Sequence, residues 1–173
     1  MEDVQLKLDN KDVEEDNYSD ISLRPVDLSD VDHFMEWLTD EKVSKFCSWD
    51  CYTSKEAAMK FLKDNAISHP CGNEKCRGEI GYVLASKYWG KGIATKAVKL
   101  VASTIFFESP HLERLEALVD VENVGSQKVL EKVGFSREGV LRKYCLLNGK
   151  SRDMVIFSLL STDPQVGYSN VYD

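Results

Sequence analysis

Hydrophobic residues along this chain change their period several times, and each change marks an element. From Gly78 to Ala85 the pattern alternates, with Ile80, Tyr82 and Leu84 on one face and Gly81 and Val83 on the other, which predicts a strand. From Ile93 the spacing becomes three and four residues (Ile93, Ala97, Val98, Val101, Ile105), the period of an amphipathic helix. The sequence then repeats itself in kind. Leu115, Ala117, Val119 and Val121 alternate against Glu116, Leu118 and Asp120, and Val129, Leu130 and Val133 form the next helical stripe. Asn123 is placed to cap that helix and Gly134 to end it in the left-handed conformation, with Phe135 folding back on Leu130. The runs Gly139–Leu147 and Arg152–Leu160 flank Asn148-Gly149, a strong hairpin signal.

Upstream the pattern is sparser. Ile21–Val26 reads as a short strand cut off by Pro25, near a sheet edge. Ser29 is placed to cap a helix whose stripe is Val31, Phe34, Met35 and Leu38. Thr53 and Glu56 have capping-box spacing ahead of Ala57, Ala58, Phe61 and Leu62, and His69-Pro70 closes that second helix. The expected order is strand, two helices, strand, helix, strand, helix, hairpin. The helix joining the Gly78 and Leu115 strands makes them parallel neighbours.

Where the first strand must turn directly into a helix stand Gly90 and Gly92. Such a turn leaves backbone N–H groups unpaired at the positive end of the helix dipole, and glycine lets an anion approach the backbone closely. The charges agree. No acidic residue lies between Glu79 and Glu108, yet Lys87, Lys91, Lys96 and Lys99 do. An ordinary strand–turn–helix with a solvated lysine face has the same local features, because Gly-x-Gly alone is a weak motif. A P-loop would need Lys followed by Ser or Thr, and the third Gly or Ala of a dinucleotide fingerprint is replaced by Thr95.

Composition narrows the class. The 173 residues, 43% hydrophobic and 29% charged, suit one soluble globular domain, with no apolar run long enough to span a bilayer and no signal-like N-terminus. Net charge is −7, but residues 1–20 alone hold eight acids against two lysines, so the rest of the chain is nearly neutral. The expected division is therefore an acidic disordered leader over 1–20, a folded domain over 21–162 and a loose tail over 163–173. Five cysteines, an odd number, point to reduced thiols in a cytoplasmic or nuclear compartment. The spacings of Cys47, Cys51, Cys71 and Cys76 around His69 are not those of a zinc finger, so no metal is expected. His33, His69 and His111 lie apart with no Gly-x-Ser-x-Gly element, which leaves hydrolase chemistry unsupported. A basic, aromatic-laced surface for nucleic acid is missing.

In this order the residues resemble the GNAT superfamily of acyl-CoA-dependent N-acetyltransferases, in its RimJ/RimL-like branch. Three features carry the resemblance: Glu79–Leu84 running into Tyr88-Trp89-Gly90-Lys91-Gly92-Ile93-Ala94-Thr95, then Asn123-x-x-Ser126 followed by Leu130–Phe135, then the closing hairpin with Arg152-Asp153. Lys87 stands where the family's cofactor signature has Arg or Gln. The resemblance implies an α+β fold, a three-layer arrangement with a mixed twisted sheet flanked by helices. It also implies acetyl-CoA as cosubstrate and a primary amine as acceptor: a protein N-terminus, a lysine or a small amine. Carried over residue by residue, Val83 and Leu84 would pair with the pantetheine arm. Lys87, Trp89, Gly90, Lys91, Gly92, Ile93, Ala94 and Thr95 would surround the pyrophosphate, and Asn123 and Ser126 would meet the cofactor near its thiol. Ser126 is the candidate acid for the departing thiolate, Glu79 or a water chain the candidate base, and Tyr82 a contributor. Each also has an ordinary role open to it: helix first turn, solvent-facing strand acid, core tyrosine. A monomer or homodimer is expected.

One stretch departs from the family. Only seven residues, Cys71–Arg77, separate Pro70 from Gly78, where the family has two further strands. Two strands of about five residues and a turn do not fit in that space. The expected consequence is a shortened sheet whose second and third strands are missing, an exposed edge on the Gly78 strand, and weak support for both early helices. The competing reading is then a non-catalytic CoA-binding or protein-interaction module of the same fold.

Overall fold

The computed structural model describes residues 21–47, 54–61 and 76–164. Its helices are α1 (Val31–Leu38), α2 (Glu41–Ser44), α3 (Lys55–Phe61), α4 (Ile93–Glu108) and α5 (Val124–Val133), and its strands β1 (Arg77–Glu79), β2 (Arg114–Asp120), β3 (Ser136–Leu147) and β4 (Lys150–Leu160). The sheet order is β1-β2-β4-β3, with β1 and β2 parallel and the remaining pairs antiparallel. This is the mixed α+β architecture expected, reduced to four strands among the described residues.

The core lies between the sheet and α4 with α5. Cross-strand partners on one face are Leu115 with Leu159, Ala117 with Phe157 and Val119 with Val155, all buried, so a small residue faces the largest one and the layer interdigitates. Val98 and Ala102 from α4, and Leu130, Val133 and Phe135 from α5 and its exit, close over them. Asn123 caps α5 by accepting the Ser126 N–H at 3.1 Å. Gly134, at φ 102°, ends it while Phe135 N–H bonds back to the Leu130 carbonyl at 3.0 Å. The hairpin turn has Asn148 at φ 50° and Gly149 at φ 71°, the paired positive values of a type I′ turn.

The first part of the chain differs from expectation in three places. Residues 21–27 form no strand, since the described residues offer them no ladder partner. The cap upstream of α1 is Asp27, not Ser29: its carboxylate takes the Ser29 N–H at 2.8 Å while Asp30 returns the favour to the Asp27 N–H at 2.9 Å. Ser54, whose hydroxyl accepts the Ala57 N–H at 3.2 Å, serves α3, and Thr53 lies outside the described residues. So do the leader over 1–20, the segment over 62–75 and the tail beyond Pro164. The short helix α2, capped by Asp40, was not anticipated.

Candidate active site

The ladder between β1 and β2 is brief. It runs from Arg77 opposite Arg114 to Glu79 opposite Glu116, and its last bond is Ile80 N–H to the Glu116 carbonyl at 2.8 Å. Beyond that β2 continues to Asp120 with β4 as its neighbour, while Gly81–Leu84 diverges. Among the described residues no backbone partner is found for the amides of Gly81, Tyr82, Val83 and Leu84. The predicted strand over 78–85 is thus a ladder of three residues followed by an unpaired extended segment. Into the wedge between the two chains opens a cleft of about 680 Å³.

The end of this segment is tied down before the glycine turn. Trp89 Nε1 donates to the Leu84 carbonyl at 2.8 Å, and Asp40 accepts the Ser86 N–H at 2.9 Å as well as the Lys42 N–H at 3.0 Å. These bonds, Ser86 foremost, hold the Asp40 carboxyl below its usual range. Gly90 and Gly92 follow at φ 78° and 77°, a conformation costly for any other residue, and the space beside each Cα is open. The first intrahelical bond of α4 is Lys96 N–H to the Gly92 carbonyl, so the N–H groups of Ile93, Ala94 and Thr95 have no helical acceptor. No acidic residue and no side-chain cap competes for them. An elongated ligand with an anionic group fits this surface: amide donors at the helix start, and a free strand edge leading away from them.

Most of the predicted site residues come together here. Tyr82, Val83, Leu84, Trp89, Gly90, Gly92, Ile93, Ala94, Thr95, Asn123 and Ser126 all line the cleft. Three stand apart from the lining. Glu79 is exposed on β1, Lys91 sits on the turn between the glycines, and Lys87 pairs with Glu36 of α1 at 2.8 Å. That carboxylate raises the Lys87 ammonium above its ordinary value. At the centre, the Tyr82 hydroxyl donates to the Ser126 carbonyl at 3.0 Å and lies 2.7 Å from Ser126 Oγ. Burial pushes the Tyr82 phenol up, and the serine bond partly offsets this.

Sequence reasoning missed one wall and one network. Val43, Phe46 and Cys47, in and after α2, line the cleft from the first part of the chain. Beneath the β2–α5 connection, buried Asp120 takes Arg152 Nε at 2.7 Å and the Glu122 N–H at 2.8 Å, while Arg152 also donates to Glu122 Oε2 at 3.0 Å. An acid at the end of an otherwise buried strand, and an arginine just after a hairpin turn, were the available signals. Their meeting across 32 positions of sequence was not one.

The family model for the acetyltransferase (GNAT) domain matches residues 65–136. The N-acetyltransferase p20 of Bacillus licheniformis is 30% identical over 168 positions, covering 83% of this chain and 94% of that protein. The chain belongs to the GNAT family of N-acetyltransferases. As 83% of 173 residues is about 144, about 24 of the 168 aligned positions have no counterpart in this chain. The N-acetyltransferase YjcK of Bacillus subtilis is 44% identical over 86 residues, 50% of this chain and 47% of that protein, so against it the chain spans about half the relative's length. Among solved structures, RimJ of Mycobacterium smegmatis in complex with a CoA disulfide superposes with a TM-score of 0.64 at 25% identity, covering 80% of each chain. No described helix is long and apolar enough to cross a membrane.

Proposed function

We propose that this chain transfers the acetyl group of acetyl-CoA to a primary amine by direct attack on the thioester, with Ser126 and Tyr82 handling the proton of the departing thiolate. The observation that carries the proposal is a pair of unpaired backbone donor sets on one side of the cleft, the Gly81–Leu84 edge and the Ile93–Thr95 amides that open α4. It supplies both halves of what a CoA thioester needs: an edge for the amide-bearing arm and an anion seat for the pyrophosphate. The CoA disulfide held by the RimJ relative supports the same reading.

The transfer balances as follows. The neutral amine nitrogen bonds to the carbonyl carbon, the carbon–sulfur bond breaks, nitrogen loses one proton and sulfur gains one. A backbone N–H of the Val83–Leu84 stretch polarises the carbonyl oxygen as charge builds on it. The Ser126 carbonyl can only accept, so the Tyr82 hydroxyl donates to it and keeps lone pairs for the Ser126 hydroxyl. When Ser126 turns its O–H to sulfur and gives up the proton, the Tyr82 hydroxyl swings from the Ser126 carbonyl to Ser126 Oγ and replaces it, and water restores Tyr82. The amine's proton leaves through water, since Glu79 lies outside the cleft lining. An α-amine, with a pKa of about 7.7–8.0, is partly neutral without a strong base, whereas a lysine near 10.4 is not. This favours a protein N-terminus or small amine of low basicity as the attacking nitrogen.

The test is a thermal-shift titration with acetyl-CoA followed by a thiol-release assay over a panel of primary amines. Acetyl-CoA is expected to raise Tm, Gly92→Val to abolish the rise, and at least one amine to liberate thiol. The open β1 edge gives the binding-module reading a specific foothold. A Tm rise with no thiol released from any amine would favour it over turnover.

A further inference from the structure

Lys45 reaches from one wall of the cleft to the other. It lies between Val43 and Phe46, which line the first wall, and its Nζ is 3.4 Å from Oε2 of Glu122, which lines the second. Glu122 is anchored from behind by Arg152, which donates to the same oxygen at 3.0 Å and is itself fixed 2.7 Å from buried Asp120. The two cations on Glu122 are therefore unequal. The Arg152 side chain is 17% exposed and held by a second carboxylate. The Lys45 side chain is 58% exposed and sits at the longer distance, with the same Nζ 5.1 Å from the centre of the Phe46 ring.

A carboxylate with one fixed and one exchangeable cation, in the wall of a cleft where a primary amine must react, is already occupied by an ion of the acceptor's own class. We infer that Glu122 binds an ammonium group of the acceptor, which takes the place of Lys45, so that Lys45 acts as a built-in competitor. This rests on the acetyltransferase reading of the cleft. The nitrogen that attacks must be neutral, so the group on Glu122 is a second cation that stays charged throughout. The acceptor is accordingly a peptide N-terminus followed by a basic side chain, or a polycationic amine whose neighbouring charges lower the basicity of the attacking nitrogen. Amines with a single nitrogen lack the group that displaces Lys45.

The experiment compares spermidine with butylamine, and Ala-Lys-Ala with Ala-Ala-Ala, as acceptors for the full chain at saturating acetyl-CoA. Wild type should favour the basic member of at least one pair, and the pair that shows the preference identifies the source of the cation. Glu122→Gln should raise the KM of that basic acceptor about tenfold or more, with kcat and the acetyl-CoA thermal shift retained. Lys45→Met, a change on an exposed residue, should lower the same KM about two- to fivefold by removing the competitor. Unchanged preference in Glu122→Gln, or weaker acceptor binding in Lys45→Met, overturns the inference while leaving the transferase reading intact. If no amine releases thiol, calorimetric titration of spermidine and of Ala-Lys-Ala into the CoA-saturated protein still decides. Binding lost in Glu122→Gln sustains the Glu122 site and removes only turnover, and binding absent from wild type ends both.

Discussion

The sheet with α4 and α5 and the helical segment over residues 28–61 line the same cleft but are held together in different ways. The first has a continuous core of eleven buried residues knitted by backbone ladders. The second has three buried hydrophobic residues at its centre, Val31, Leu38 and Ala58, and no strand. Among the described residues the polar links between them include Asp40 to the Ser86 amide, Glu36 to Lys87, and Lys45 to Glu122, each bordering the cleft or the turn that leads into it. A hydrophobic core resists rearrangement because every lost methylene costs stability, whereas exposed polar links exchange readily with water and ligands. The sheet side is thus built to be rigid, and the helical side to be adjustable.

The largest expected effect breaks the rigid side. Phe157 is fully buried opposite Ala117, and Phe157→Ala should cost about 3–5 kcal/mol, seen as a lower urea midpoint and loss of the acetyl-CoA thermal shift. Leu38→Ala removes an equally buried side chain from the smaller cluster and should cost about 2–3 kcal/mol. Hydrogen exchange should show that loss confined to α1–α3, with the shift by acetyl-CoA retained. Equal loss of protection in both regions would mean that they fold as one unit and the contrast fails.

Next comes the chemistry. Ser126→Ala should lower kcat about 10²-fold with little change in acetyl-CoA KM, because the serine's proton matters only once the carbon–sulfur bond is breaking. Tyr82→Phe leaves Ser126 Oγ in place and should cost less, about tenfold, if Tyr82 acts only by resupplying Ser126. A larger loss from Tyr82→Phe than from Ser126→Ala would make the tyrosine the direct donor.

How much of this was legible beforehand follows the same divide. Elements with a strong local signal declared themselves: the alternation through Leu115–Val119, Asn123 as cap, Gly134 as stop, Asn148-Gly149 as turn. The glycine turn declared itself in Gly90 and Gly92, while Tyr82 and Ser126 were named separately and their meeting across 44 positions was not foreseen. Where structure depends on a distant partner, sequence pattern misled. Ile21–Val26 has strand composition but no ladder partner among the described residues. The Asp120–Arg152–Glu122 network needs the β2–β4 register, with Asp120 opposite Met154, before its members can be seen as neighbours.

Acid should separate the two regions mildly. Arg114, then Ser158, holds the Glu138 carboxyl down to about 2, and Arg24 does the same for Asp30. A carboxyl depressed by folding contributes stability above its unfolded pKa and loses it as pH falls toward the folded value. Both contributions should therefore fade between about pH 4.5 and 2. Glu138 is part of a bidentate pair with Arg114 on two strands, so Glu138→Gln should flatten the acid limb of the stability curve for the sheet. Asp30→Asn should affect only the helical segment, where it also loses the cap on Asp27. Its partner Arg24 is largely exposed, and the effect on global unfolding should be small.

The smallest effect is the sharpest check on where the boundary between the regions lies. Lys87 carries the position that the cofactor signature assigns to an anion contact, yet its ammonium is spent on Glu36, and both side chains are substantially exposed. An exposed pair of this kind contributes little and weakens in salt. Lys87 is raised and Glu36 lowered by folding, so the pair is fully charged at neutral pH, fading only above the lysine's ordinary range or below the glutamate's. Lys87→Met should then change acetyl-CoA KM less than about twofold, and 1 M NaCl should erase the difference in stability from wild type. Asp40→Asn, which weakens the neutral-backbone link to Ser86 one residue earlier, should change more and be insensitive to salt. If Lys87→Met instead raises acetyl-CoA KM tenfold, the lysine leaves Glu36 when the cofactor arrives, and the link between the two regions becomes part of the binding step.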